Sequence, residues 1–257
     1  MQNPMMMTDR VIMVTGGGQG IGRQLAEQLL SLEAKVALVD IDADMLAEAC
    51  DALGASRVST HCGDVSDPEF VNATVDSIVA EQGDLHGLIN NAGIVRAAMA
   101  SEMAIEQWHQ VIGVNLTGAF ICLQAVGRHL ISKAKEGDPN PGSIVNISSD
   151  AGRRGTIGQI NYGAAKSGVL GLTMCSAREW GRYNINVNSV CYGMVETAMT
   201  ETIRQEKFRD KYLSQIPLGR FSTTGDVAPA TCFLLSDAAS YITGQHLSID
   251  GGFYISS

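Results

Sequence analysis

Short runs of consecutive apolar residues recur along the chain, each closed by glycine or a polar turn and followed by a longer stretch with helical spacing. Seven such runs lie at 10–16, 35–40, 58–62, 85–89, 143–148, 185–191 and 246–250. Near-continuous apolar character, without alternation, predicts strands buried on both faces. Leu25, Leu29 and Leu32 continue a helix after the first run, and further helices are predicted at about 42–54, from Asp67-Pro68 with proline in the first turn, over 101–135, and over 224–236. Val169, Thr173, Ala177 and Trp180 recur at helical spacing and predict a helix over 160–182. Strand and helix alternate, so the pattern predicts an α/β fold: a parallel sheet of about seven strands covered by helices on both faces. No linker, low-complexity tract or repeat interrupts it, so residues 1–257 are expected to form one domain. The segment 194–223 follows no readable motif. Its polar stretch at 196–207 predicts a surface helix pair, and residues 194–215 are expected to be a lid over the substrate.

Composition narrows the function classes. With 257 residues and 45% hydrophobic content the chain can bury a sizeable core. A net charge of −9 argues against nucleic acid or an anionic membrane surface as the main partner. The six cysteines are scattered singly with no C-x-x-C pair or zinc spacing, so no metal is expected; the adjacent His61-Cys62 is explained by a strand position. Unpaired cysteines, a start without the pattern of a signal peptide, and no apolar run of about 20 residues predict a cytoplasmic protein without a membrane span.

Two stretches carry chemistry. The first strand opens into Gly16-Gly-Gly-Gln-Gly-Ile-Gly22 and then a helix, an arrangement that offers backbone N–H groups and a helix N-terminus to phosphate. The next strand ends in Asp40, about 20 residues further on, where an acid that binds a ribose belongs. In the second stretch Tyr162 and Lys166 stand one turn apart on one helix face, and Ser149 closes the preceding strand. A phenol of pKa about 10 is a poor base, but a nearby ammonium favours the phenolate. A serine hydroxyl beside them can hold a substrate oxygen while its charge changes.

Taken in order, Thr15-Gly-Gly-Gly-Gln-Gly-Ile-Gly22, Asp64-Val65, Asn90-Asn-Ala-Gly93, Asn115, Ser149, Tyr162-x-x-x-Lys166 and the C-terminal stretch from Tyr241 to Gly252 resemble the one-domain short-chain dehydrogenase/reductases. The resemblance covers nearly the whole chain and looks most like the 3-oxoacyl-carrier-protein reductase branch. It implies a Rossmann-type doubly wound sheet and a nicotinamide cofactor. It implies that Tyr162 is the general acid/base, that Lys166 lowers its pKa and holds the nicotinamide ribose, and that Ser149 binds the reacting oxygen while Ser148 is structural. Asn115 would interrupt its helix and hold a water that relays protons to Lys166. Gly16, Gly18, Gln19, Gly20, Ile21 and Gly22 would form the phosphate loop. Asp40 and Ile41 would border the adenosine ribose, Asp64 and Val65 the adenine, Asn91, Ala92 and Gly93 the adenosine side, and Val195 and Thr197 the carboxamide. It also implies a homotetramer in which the helices at 101–135 and 160–182 pair across a two-fold axis; Leu116, Phe120, Leu123, Val169, Leu172 and Trp180 supply more apolar surface than one sheet face should need.

Asp40, with Gln19 in the glycine loop and Ile41 after the acid where NADP users place basic residues, predicts NAD(H). The leading expectation is therefore an NAD-dependent oxidoreductase interconverting a secondary alcohol and a ketone. A 3-oxoacyl thioester reductase is the alternative, and a catalytically silent nucleotide sensor a third reading, which the intact Ser149, Tyr162, Lys166 and Asn115 argue against. Two features depart from the family pattern. Tyr192-Gly193 replaces the usual Pro-Gly, and the ring would either line the substrate pocket or face solvent. No clear basic patch for an acidic carrier protein is visible, since the turn at 135–142 is mixed in charge.

Overall fold

The computed structural model describes residues 3–255. Seven parallel strands form one sheet: β1 (Val11–Thr15), β2 (Lys35–Asp40), β3 (Val58–Cys62), β4 (Gly87–Asn90), β5 (Gly142–Ser149), β6 (Ile185–Tyr192) and β7 (His246–Ile249). Their spatial order is β3-β2-β1-β4-β5-β6-β7. The chain runs outward from β1 through β2 to β3, then crosses back to β4 on the other side of β1. That reversal opens a crevice at the strands' C-terminal ends between β1 and β4, the place where such sheets bind ligands.

Successive side chains of a strand point to opposite faces, and each face is filled. Ile12, Val14, Val36, Leu38, Val145 and Val190 pack under α1 (Gly20–Ser31), α2 (Ala43–Leu53) and α10 (Thr224–Phe233). Val11, Met13, Ala37, Val39, Leu88, Ile144 and Val187 pack under α3 (Pro68–Gln82), α5 (Ala119–Lys135) and α7 (Ile160–Trp180). Local signals set the helix ends. Asp42 caps α2 by accepting the N–H groups of Asp44 and Met45, at 3.1 and 3.0 Å, and Asp67 caps α3 with Pro68 in its first turn.

The expected long helix at 101–135 is α4 (Ile105–Ile112), a π turn at Gly113–Gly118, and α5, continuous over 31 residues. By length and composition alone this helix could cross a membrane, yet no unbroken apolar run within it reaches about 20 residues. The length and hydropathy come from a helix that covers a sheet: Cys122, Leu123, Val126 and Leu130 are buried against it. Asp84, just before β4, ties this helix down, pairing with His129 at 3.0 Å and Lys133 at 2.7 Å.

Two residues expected at a subunit interface, Leu123 and Val169, are buried core instead, because their helical faces turn toward the sheet. Trp180 packs flat on α5: a Cβ at Gly127 would collide with its ring. The segment after β6 forms α8 (Glu201–Arg204) and α9 (Glu206–Leu213). α9 contributes no buried residue, as a surface pair requires, while the side chains of Thr202 and Ile203 lie outside the described set. A four-residue helix, α6 (Ala151–Arg154), not anticipated from the pattern, links β5 to α7.

Candidate active site

The ends of β1, β2, β4, β5 and β6 surround a cavity of about 600 Å³. Its floor is held by Thr15, whose Oγ1 accepts the N–H groups of Asn91 and Ala92, both at 3.0 Å. Asn91 Nδ2 returns bonds to the carbonyls of Thr15 and Gly16, at 3.0 and 3.1 Å. These four bonds lock the exits of β1 and β4 together at the crevice, so Asn91 acts as a clamp and Gly93 follows it along the wall. Beneath them a buried polar chain steadies α5 and α7: Asn90 Nδ2 donates to Asn146 Oδ1 at 3.0 Å, and Asn146 Nδ2 to Thr173 Oγ1 at 3.0 Å.

On one side lies the glycine loop. Gly16 and Gly20 adopt φ of +63° and +53°, which favours glycine. A Cβ at Gly22 would collide with the Gly16 carbonyl, so this residue lets α1 press against the loop. A Cβ at Gly20 would instead project into open space, its nearest neighbour Thr197 Cγ2 at 3.9 Å, so loop and Thr197 face each other across the cavity. The first turn of α1 holds no acidic residue and Gln19 makes no side-chain cap, leaving its N–H groups free for an anion. Gly18 does not line the cavity; its N–H donates to Asp40 Oδ2 at 3.0 Å. Asp40 also accepts the Asp42 N–H at 3.3 Å and keeps lone pairs for hydroxyl donors. Ile41 stands 70% exposed at the rim, and Asp64, fixed by Ser66 N–H and Oγ at 2.8 Å each, lies beyond with the buried Val65. This cradle fits a dinucleotide: a shelf of N–H groups for the diphosphate, and carboxylates placed for ribose and adenine.

On the other side are Ser149, Tyr162 and Lys166, all lining the cavity. The Ser149 hydroxyl accepts the Ala151 N–H at 3.2 Å, and it borders the same cavity as the Tyr162 phenol. Lys166 is buried, with Nζ donating to the Ile147 carbonyl at 2.8 Å and lying 5.7 Å from the centre of the tyrosine ring. Ser148 is structural, as expected: its hydroxyl donates to the Lys166 carbonyl at 2.8 Å.

The electrostatics correct one expectation. The phenol of Tyr162 is not lowered. Burial pushes it up, and the Ser149 hydroxyl only partly opposes this. Burial also pulls Lys166 down to about 8. A low-dielectric wall penalises both the phenolate and the ammonium. At neutral pH the protein therefore presents a protonated phenol, the form that can donate a proton to a carbonyl oxygen.

Asn115 sits in the π turn, 1% exposed, and so interrupts its helix. Its side chain does not face the cavity: Oδ1 accepts the Ile94 N–H at 2.8 Å and Nδ2 donates to the Ile94 carbonyl at 3.0 Å. A proton relay to Lys166 through Asn115 would have to use backbone groups freed by the π turn. Val195 and Thr197 line the far wall, where Arg204 donates to the Thr197 carbonyl at 3.0 Å.

Tyr192 settles between its two alternatives. The ring is buried at the cavity's back wall, and its hydroxyl meets Thr231 Oγ1 at 2.8 Å in the core. Thr231 itself donates to the Val227 carbonyl at 2.8 Å, so Tyr192 is the donor. It ties β6 to α10 and presents only ring carbon to the cavity.

Two residues were missed. Asn161 is buried, bonding the carbonyls of Arg96 and Gln107 at 3.0 and 3.1 Å and the Tyr162 N–H at 2.7 Å, so it anchors the helix that carries the phenol. Arg96 puts a cation in the cavity wall. An asparagine directly before Tyr162, at a helix start, was the readable signal for the first; the second had none.

Comparison with known proteins agrees with this geometry. A family model described as enoyl-(acyl carrier protein) reductase matches residues 16–254. The 3-oxoacyl-[acyl-carrier-protein] reductase of Thermotoga maritima is 39% identical over 254 residues, 98% of this chain and all of that one. A solved chain from Sinorhizobium meliloti 1021 superposes with a TM-score of 0.91 at 33% identity, covering 98% of both chains. The structure of levodione reductase superposes with a TM-score of 0.89 at 34% identity, over 95% of this chain and 97% of that one.

Proposed function

The chain belongs to the short-chain dehydrogenase/reductase family, and we propose that it is a nicotinamide-dependent oxidoreductase that reduces a carbonyl group, with Tyr162 as proton donor. The observation that carries this reading is one cavity joining the Ser149–Tyr162–Lys166 cluster to a glycine loop and Asp40. When bound, the nicotinamide supplies or accepts the hydride. The chain's own residues do the rest. Ser149 Oγ holds the substrate oxygen, Tyr162 gives that oxygen its proton, and Lys166 offsets the phenolate that results. In the reverse direction the same phenol takes the proton of an alcohol. A silent nucleotide sensor would not need this cluster.

For the substrate we favour a 3-oxoacyl thioester, which moves the weight from the leading expectation of a simple secondary alcohol to its alternative. Support comes from the full-length similarity to the Thermotoga reductase. Exposed apolar side chains also suit an acyl chain: Met199 lines the cavity, and Met99 and Ile160 flank the bridge between Ala98 and Gln159, close to Tyr162. A second reading, an NAD-dependent dehydrogenase of a small ketone or secondary alcohol, is favoured by Asp40 and by the likeness to levodione reductase. We assign NAD(H) as cofactor on the strength of Asp40, and a cytoplasmic setting on the six free thiols.

Purified protein should be assayed with 3-oxoacyl thioesters, unactivated ketones and secondary alcohols, each with NAD(H) and NADP(H). A kcat/KM at least about tenfold higher for the thioester, about 1.4 kcal/mol, is expected. Preference for a plain ketone would install the second reading, and no turnover of any of them would overturn the enzyme assignment.

A further inference from the structure

Directly after Ser149 the chain places an acid where nothing can solvate it. Asp150 is 3% exposed, and among the described residues neither carboxyl oxygen has a hydrogen-bond donor. A buried carboxylate without donors is strongly disfavoured. Its polar neighbour is another carboxyl, that of Asp250, and both flank Gly193. Asp250 is satisfied as an anion: Oδ1 accepts the Gly252 N–H and Oδ2 the Tyr254 N–H, both at 2.9 Å. Neighbouring buried acceptors favour a proton between them, and the donor-poor partner is the one to carry it.

Among the described residues, the charged and titratable groups around the pair do not supply another donor. From α6, Arg153 spends its guanidinium on Ser248 Oγ and the His246 carbonyl, at 2.9 Å each, and Arg154 lies 3.8 Å over the Phe253 ring. From β6 comes the buried Cys191 thiol, and from β7 His246, whose Nδ1 meets Ser189 Oγ at 2.7 Å. Burial and the Asp250 charge raise Asp150 to about 7, against the pull of both arginines.

The pair joins three parts of the site. The Asp150 N–H donates to the Tyr192 carbonyl at 3.0 Å, next to Ser149 and at the end of β6. Gly193, in the cavity wall, is wedged against both acids: a Cβ there would stand 2.7 Å from Asp250 Cβ and 3.3 Å from Asp150 Oδ2. The turn that Asp250 organises receives the base of the lid segment, with the Leu218 N–H donating to the Gly251 carbonyl at 3.1 Å.

We propose that Asp150 is a positioning residue that shares one proton with Asp250, and that this carboxyl–carboxylate strut holds the Ser149 turn and Gly193 against the turn seating the lid. This rests on the catalytic reading of Ser149. Ionisation releases the shared proton to solvent, sets two buried anions against each other and loosens the strut as pH rises through about 7.

Asp150→Asn keeps a donor toward Asp250 but cannot ionise, whereas Asp150→Ala removes it. The alanine variant should lose about tenfold or more in kcat, with cofactor affinity kept, and the asparagine variant should recover most of that loss. The ratio of wild-type to D150N kcat, in which titrations common to both proteins cancel, should fall as pH passes through about 7. Thermal unfolding supplies a readout that needs no turnover. A folded-state pKa of about 7 against the ordinary 3.8 means that the native protein loses stability as pH rises across that window and levels off above it. The Tm of D150N minus that of wild type should therefore grow across the window by at least about 3 °C. A Tm difference that does not change with pH overturns the shared proton. Wild-type kcat in D150A, or a kcat ratio flat in pH, overturns the strut. Failure of every substrate alongside the expected Tm series would instead sink the catalytic reading of Ser149.

Discussion

Tyr162→Phe removes a single oxygen and keeps the ring, so it separates proton transfer from packing. Because the phenol donates the proton in the proposed reduction, kcat should fall at least about 10²-fold while cofactor binding is retained. Near-wild-type turnover would move the acid elsewhere. Asp40 governs a different choice. Its carboxylate is held by Gly18 and Asp42 at the end of β2, so it cannot swing away from a 2′-phosphate. Two anions at close range repel, and the acid loses the hydroxyl donor it would otherwise have. A kcat/KM preference for NAD(H) of at least about 10²-fold is expected, about 2.7 kcal/mol. Asp40→Ser should narrow it mainly by admitting NADP. Equal rates with NADPH in the unmodified protein would refute the assignment. Both residues were readable because their chemistry depends on position along one element: Tyr162 and Lys166 share a helix face, and Asp40 ends a strand. Asp150 was not readable. It meets Asp250 only because β5, β6 and β7 lie side by side, a contact with no local signature in the chain.

At the scale of elements, the strands were legible because parallel pairing buries both faces and leaves apolar runs. β2 and β3 fall where the pattern put them, and the other strands differ by a residue or two at their ends. The π turn at Gly113–Gly118 was not legible as such, since one extra residue per turn leaves the apolar spacing almost intact. Nor was α6, whose four residues are shorter than any periodicity can reveal. The segment after β6 is where local stability should be lowest. α9 buries no side chain, and α8 is joined to it through an extended residue, Gln205. Few apolar contacts mean a small free energy of local opening. Amide exchange over residues 206–213 should thus be at least about 10²-fold faster than in β5 when no ligand is present, and should slow when substrate and cofactor bind together. Protection equal to that of β5 without ligand would show that the segment is fixed wall and not a lid.

Among the described residues, several exposed apolar groups lie on two separate surfaces. One is the outer face of α5 and α7, where Phe120 and Met174 are 43% and 47% exposed. The other lies at β7, which among the described strands pairs with β6 alone: Leu247 is 38% exposed, and Tyr241, just before β7, fully so. An open sheet edge with apolar side chains invites a partner, and helices that still expose large apolar groups after covering a sheet do the same. Each surface can close on a second copy of itself about a two-fold axis, and two different two-fold axes together generate a tetramer of 222 symmetry. Because Leu123 and Val169, two of the six residues expected there, are core, a helix-face interface would be carried by fewer side chains, chiefly Phe120 and Met174. Light scattering at micromolar concentration should give about four times the chain mass of 27.3 kDa. Phe120→Glu with Met174→Glu should disrupt only the helix-face contact and yield a dimer, since burying one charge in a closed apolar contact costs several kcal/mol. A monomer mass for the unmodified protein would show that both surfaces face solvent. An undiminished tetramer in the double variant would place the helix-face interface elsewhere.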